Sequence, residues 1–122
     1  MSINYDTTRP IYEQIIEYIL KKLASRKYSA GSKLPSQREM AKVLSVNPNT
    51  VQRAYREMER KDLVETKRGM GTYVTESEEK IEEIRLEMAE ELVENFIEEV
   101  RALGFSEEEI NKMLVEEFKG GK

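Results

Sequence analysis

Apolar residues recur at helical spacing in the first third of the chain. Tyr12, Ile15, Ile16, Ile19, Leu20 and Leu23 fall three and four residues apart, with Glu13, Glu17, Lys21 and Lys22 on the other side. That pattern predicts an amphipathic helix opened by Pro10 and running over about 10–27, behind a short extended arm at 1–8. The loop Tyr28-Ser29-Ala30-Gly31-Ser32 ends it. Ser36 with Glu39 three residues on is a capping box, which starts a second helix ending at Leu44. Met40, Ala41, Val43 and Leu44 form its expected inner face. Asn47 can cap a third helix, and Pro48 suits a first turn where no amide hydrogen is needed. On that helix, which should end near Lys61, Val51, Ala54, Tyr55 and Met58 share one side. Asn49, Arg53, Arg56 and Arg60 share the other, with Gln52 at its edge. The period then shortens: 64–67 and 72–75 are β-prone runs around Arg68-Gly69-Met70-Gly71.

Ser45 and Val46 leave room only for a tight turn between the second and third helices. Two helices so joined form a helix-turn-helix, whose second helix enters the DNA major groove. A hairpin with a basic, glycine-bearing tip behind it reads as a wing. The first helix would supply the third wall of the core.

From Glu78 the pattern changes to one long seam. Ile81, Ile84, Met88, Leu92, Phe96, Val100 and Leu103 are spaced for an amphipathic helix that Gly104 ends. Ser106 with Glu109 is a second capping box, and Ile110, Met113, Leu114 and Phe118 give the last helix an apolar face. Gly120-Gly121-Lys122 should fray. The seam is too long for the last helix to cover, so it predicts a homodimer. The fold class is mainly α with a small β-hairpin: a winged helix-turn-helix over 1–76 and a two-helix dimerisation tail over 77–122.

Composition narrows the chemistry. Of 122 residues, none is Cys or His. Disulfides, thiolate catalysis, zinc-finger ligation and the usual general base are excluded. The many carboxylates sit in helical charge patterns rather than in a recognisable pair, so no enzyme, metal site or cofactor is expected. No apolar run approaches a membrane span and no secretory signal opens the chain, so a soluble, cytoplasmic protein is expected. The net charge of −4 hides two opposed parts. Residues 1–75 carry 14 basic against 8 acidic side chains, and residues 76–122 carry 6 against 16. A basic front and an acidic rear suit a protein with one end on a polyanion.

The motifs Leu34-Pro35-Ser36-x-Arg38-Glu39-x-Ala41, Val46-Asn47-Pro48-Asn49-Thr50-Val51, Ala54-Tyr55 and Gly69-x-Gly71-Thr72-Tyr73-Val74 resemble the GntR family of bacterial transcription regulators. The opening Pro10-Ile11-Tyr12-Glu13-Gln14-Ile15 and the acidic tail are similar to its small YtrA-type branch. The resemblance implies DNA contacts by Arg38, by Asn47, Asn49, Thr50 and Gln52, and by Gly69 in the wing. Many relatives carry Ser-Arg in place of Asn47-Pro48 and Arg in place of Gln52, so the operator sequence does not transfer. Where relatives usually have Gly before Leu63 this chain has Asp62, a change of turn without evident functional meaning.

Each residue has a plainer role beside the functional one. Ser36 and Asn47 are caps first, with phosphate contact a second role for Ser36. Arg38 is either an ion-pair partner of a nearby glutamate or a DNA contact, and motif position favours contact. The amides of Asn49 and Gln52 match the major-groove edge of adenine. Arg53 suits phosphate or guanine, Arg56 less clearly so, and Lys67 and Arg68 suit phosphate. Gly69 and Gly71 serve hairpin geometry or close DNA approach, with nothing in the sequence to separate the two. The seam residues, with Ile110 and Leu114, are assigned to dimerisation. Together these give a sequence-specific regulator, a repressor of a double-stranded palindromic operator. The alternative is a winged-helix protein–protein adaptor, which needs no arginine stripe. A two-helix tail has little room for a ligand within one subunit, which would put any small-molecule effector between subunits or beside the DNA-binding part.

Overall fold

The structure, a computed structural model, describes residues 5–121. Five helices and one hairpin follow in the order α1 (Ile11–Ala24), α2 (Gln37–Leu44), α3 (Pro48–Arg60), β1 (Val64–Lys67), β2 (Gly71–Val74), α4 (Glu78–Ala102) and α5 (Glu107–Gly121). The chain divides into two compact units, 1–85 and 86–122.

In the first unit α3 packs against both α1 and α2. Ile15 and Ile19 of α1, Met40 and Leu44 of α2, and Val51 and Met58 of α3 are completely or almost completely buried. Full burial of such side chains contributes roughly 1.5–3 kcal/mol each. Val43 departs from its expected inward position and is exposed. Met40, Ala41 and Leu44 already fill the inner stripe of this two-turn helix, and Val43 lies about a quarter-turn away from it.

Three helices in this unit end in the same way, and none uses glycine. Arg26, Ser45 and Asp62 have φ of 67°, 57° and 63°. In each case the next amide reaches back to close the last turn: Lys27 N–H to Lys22 O at 2.8 Å, Val46 to Ala41 at 3.0 Å, Leu63 to Met58 at 2.8 Å. These are Schellman closures, and at the third the buried Leu63 and Met58 supply the accompanying apolar pair. They also explain why α1 ends at Ala24 rather than near Lys27. Asp62 stands in left-handed backbone, which glycine adopts without strain.

The N-terminal arm is turned rather than extended over its described residues; 1–4 lie outside them. Asp6 accepts from the Thr8 amide and hydroxyl, at 2.9 and 2.6 Å. The turn is fastened by Gln14, a polar side chain only 6% exposed. Its oxygen accepts from the Asp6 amide at 2.8 Å, and its nitrogen donates to the carbonyls of Asp6 and Arg9 at 2.8 and 3.1 Å. Arg9 pairs with Glu17, and the Tyr5 hydroxyl donates to Leu44 O at 2.9 Å.

β1 and β2 pair antiparallel with Lys67 opposite Gly71. The segment before α2 adds to the sheet: Leu34 N–H donates to Thr72 O and Val74 N–H to Ser32 O, both at 2.8 Å. Each helix of the tail starts on a serine, Ser77 and Ser106, whose hydroxyls accept from Lys80 and Glu109 amides at 3.0 and 3.2 Å. The last helix continues through Gly120 and Gly121 instead of fraying after Phe118; Lys122 lies outside the described residues.

The closure at Asp62 gives a stability prediction. Asp62→Val should destabilise by about 1–2 kcal/mol in denaturant titration, because a β-branched residue tolerates left-handed backbone poorly. Asp62→Gly should not destabilise.

Candidate nucleic-acid interface

The candidate interface comprises the N-terminus of α2, the outer face of α3 and the hairpin tip. At the start of α2, Ser36 and Glu39 close the capping box in both directions. The Ser36 amide donates to the Glu39 carboxylate at 2.9 Å, and the Glu39 amide donates to the Ser36 hydroxyl at 3.1 Å. These bonds from Ser36 hold the Glu39 carboxyl below its ordinary pKa, assisted by Lys33. Because Glu39 is occupied in this way, it leaves Arg38 alone. Arg38 is exposed, with no carboxylate in salt-bridge range among the described residues.

Asn47 caps α3 by accepting from the Asn49 amide at 2.7 Å. Its side-chain oxygen is therefore engaged, whereas Asn49, Gln52, Arg53 and Arg56 are all exposed and Thr50 is half-buried. Tyr55 anchors the inner side of α3: its hydroxyl donates to Pro35 O at 2.7 Å, and burial pushes its pKa up. This bond ties the recognition helix to the segment leading into α2. Arg60 binds Glu57 at 2.8 Å, which lowers the Glu57 pKa. Arg53 lies instead over the Tyr12 ring, 4.1 Å from its centroid.

The wing tip turns through Arg68 and Gly69, with Met70 N–H donating to Lys67 O at 2.8 Å. Gly69 has φ +74° in the third position of the turn, where type II geometry calls for glycine, and no atom would crowd an added Cβ. Hairpin geometry alone thus accounts for it. At Gly71, φ +121°, a Cβ would lie 2.6 Å from Lys33 Cε. The close approach that glycine permits there is Lys33 crossing the base of the wing. Lys33 is a cation of this surface that helical periodicity could not find; the clue was a glycine opening a strand. Lys67 is placed less simply. Its ammonium lies 4.6 Å from the Tyr73 ring centroid, in a groove of about 590 Å³ also lined by Glu59, Asp62, Glu65 and Glu76. Arg68 is exposed at the tip.

Ten predicted DNA contacts, from Ser36 to Arg68, therefore sit on exposed or half-exposed parts of these three elements, as does Gly69. The dimerisation set divides. Ile81, Ile84 and Ile110 are buried within the single chain, and Met88, Val100 and Leu114 are half-buried. Leu92 is 42% exposed, Phe96 43% and Leu103 75%.

Residues 11–74 match the family model described as "Bacterial regulatory proteins, gntR family". The chain belongs to the GntR family. Among its relatives is the HTH-type transcriptional regulator YhcF of Bacillus subtilis, 40% identical over 99% of this chain and all of YhcF. The HTH-type transcriptional repressor YtrA of the same organism is 36% identical over the whole of this chain and 97% of YtrA. A GntR family transcriptional regulator from Listeria monocytogenes has a solved structure with TM-score 0.76 and 43% identity, covering 92% of this chain and 98% of that one. This GntR protein is thus a winged-helix transcription regulator of the YtrA-like kind. No helix among its described residues is long and apolar enough to cross a membrane.

Two substitutions separate framework from contact at α2. Ser36→Ala should cost about 1 kcal/mol of stability in thermal or denaturant unfolding. Glu39's pKa is depressed on folding, so its share of the cap is present above the ordinary carboxylate range and lost as pH falls through its lowered folded value. Arg38→Ala should leave stability within about 0.5 kcal/mol while weakening duplex binding.

Proposed function

We propose that this regulator binds a palindromic operator as a cytoplasmic homodimer and represses transcription from it. The observation that carries the DNA reading is the outer face of α3. Asn49, Gln52 and Arg56 are exposed there, while the inner face and both helix ends account for the fold. Amides and guanidinium groups on a recognition helix match base edges in the major groove, and Arg38, Lys33 and Arg68 supply positive charge on either side. The name of YtrA, a repressor, supports repression. The adaptor alternative leaves this stripe of polar and basic groups without a purpose.

A second copy of the chain is the natural cover for the exposed apolar residues of the tail. Residues 86–122 leave Leu92, Val93, Phe96, Leu103, Met113 and Phe118 exposed, the last at 78%. Ile81 and Ile84 are already buried and belong to the fold of one chain, so the proposed dimer surface begins near Met88. A two-fold pair would present two reading heads to half-sites about one helical turn apart. In functional terms the DNA-binding part is 1–76, and the tail over 77–122 carries the dimer surface from Met88 onward.

Duplex affinity should fall steeply with salt, each neutralised phosphate adding about −0.9 to the slope of log affinity against log salt. An affinity indifferent to salt contradicts the electrostatic reading. Asn49→Ala and Gln52→Ala should lose discrimination at particular base pairs by roughly 1–3 kcal/mol, whereas Arg68→Ala should weaken all duplexes alike. Identical behaviour of all three would move base reading elsewhere.

In sedimentation at micromolar concentration the wild type should be a dimer. Leu92→Asp with Phe96→Asp should be a folded monomer. A wild-type monomer, or a double mutant that remains dimeric, contradicts the assignment of this surface.

A further inference from the structure

Among the described residues, Arg53 is the arginine of the α3 outer face that rests on an aromatic ring. Its guanidinium carbon lies 4.1 Å from the centroid of Tyr12, well within the range of cation–π attraction. The nearby carboxylate, Glu57, is bound by Arg60 at 2.8 Å. No ion pair holds Arg53 among the described residues. A stacked guanidinium uses its flat face and keeps the N–H donors around its edge free. Such a group is oriented yet unsatisfied, the state in which it can receive an anionic oxygen or a guanine edge with little further loss of side-chain freedom.

The backbone that carries the ring is fixed. Tyr12 stands in the first turn of α1, two residues after Pro10, and is half-buried. The buried Gln14 amide binds Asp6 and Arg9 and so fixes the chain that leads into this turn. α1 packs along α3. A chain of contacts thus runs from the N-terminal turn through Tyr12 to a side chain on the recognition helix.

We propose that Tyr12 is a positioning residue for DNA binding: its ring presents the Arg53 guanidinium, donor edge outward, to the nucleic acid. The inference rests on the DNA-binding reading and adds to it a residue of α1. The stacking uses the ring and not the hydroxyl, whose electrostatic neighbour on this face is Arg60.

The test is a double-mutant cycle in duplex binding. The probes are a mixed-sequence duplex at low salt and the duplex that the wild-type protein enriches from a random pool. Circular dichroism and thermal melting verify that each variant is folded. Tyr12→Leu should weaken binding about 2- to 5-fold, because the ordering of Arg53 that the ring supplies in the free protein must then be met on binding. Tyr12→Phe should bind as wild type. In an Arg53→Ala background, Tyr12→Leu should have no further effect. Tyr12→Leu and Arg53→Ala penalties that multiply, or a Tyr12→Phe variant as weak as Tyr12→Leu, would overturn the positioning role while leaving DNA binding intact. A wild-type protein that binds neither probe would overturn the DNA reading and this inference together.

Discussion

The geometry of the DNA-binding unit depends on one backbone constraint, the left-handed residue Ser45. At φ 57° and ψ 49° it reverses the chain within the few residues between α2 and α3. The Val46 amide bonded to Ala41 O closes the end of α2, and Asn47 at once begins the next cap. With the turn so short, α3 has little choice of direction, and Val51, Ala54, Tyr55 and Met58 must fill the core. What remains outside is then determined: Asn49, Gln52 and Arg56 are exposed, and Arg53 lies across the Tyr12 ring. A non-glycine residue in this backbone carries a cost of about 1–2 kcal/mol, offset by the packing that the turn makes possible.

The same logic separates framework from contact among residues that look alike. Ser36 and Asn47 are polar groups on the candidate surface, yet each has a defined bond inside the protein. Arg38 and Arg56 have none among the described residues and are free for a ligand. Tyr55 and Tyr12 differ similarly. Tyr55 uses its hydroxyl to tie α3 to Pro35, and Tyr12 uses its ring to hold a cation of the outer face. Helix ends, caps and stacking thus spend the polar groups that the fold requires and leave a consistent remainder on one side.

Local chemistry made much of this legible before any coordinates. The capping boxes at Ser36 and Ser106, the cap and proline opening α3, and the spacing of Ile15, Ile19, Val51 and Met58 all depend on neighbours three or four residues away. Features that depend on distant partners were not legible. Gln14 reads as one more polar residue of a helix until the N-terminal turn folds over it. Val43 reads as core until its neighbours on a short helix prove sufficient. Gly71 reads as a hairpin residue until Lys33, far away in sequence, crosses it. Arg53 could be assigned to the outer face from periodicity, but not to the ring on which it rests. In the tail, one seam of uniform spacing conceals a division between residues buried by their own chain and residues left bare.

Selection of duplexes from a random pool by the full-length wild-type protein tests the central claim most directly. The expected result is enrichment of an inverted repeat whose half-sites are centred about one helical turn apart, with the strongest preferences lost at defined positions in Asn49→Ala or Gln52→Ala. No enrichment over the starting pool, under salt conditions where the protein is folded, would contradict the claim that this surface reads DNA.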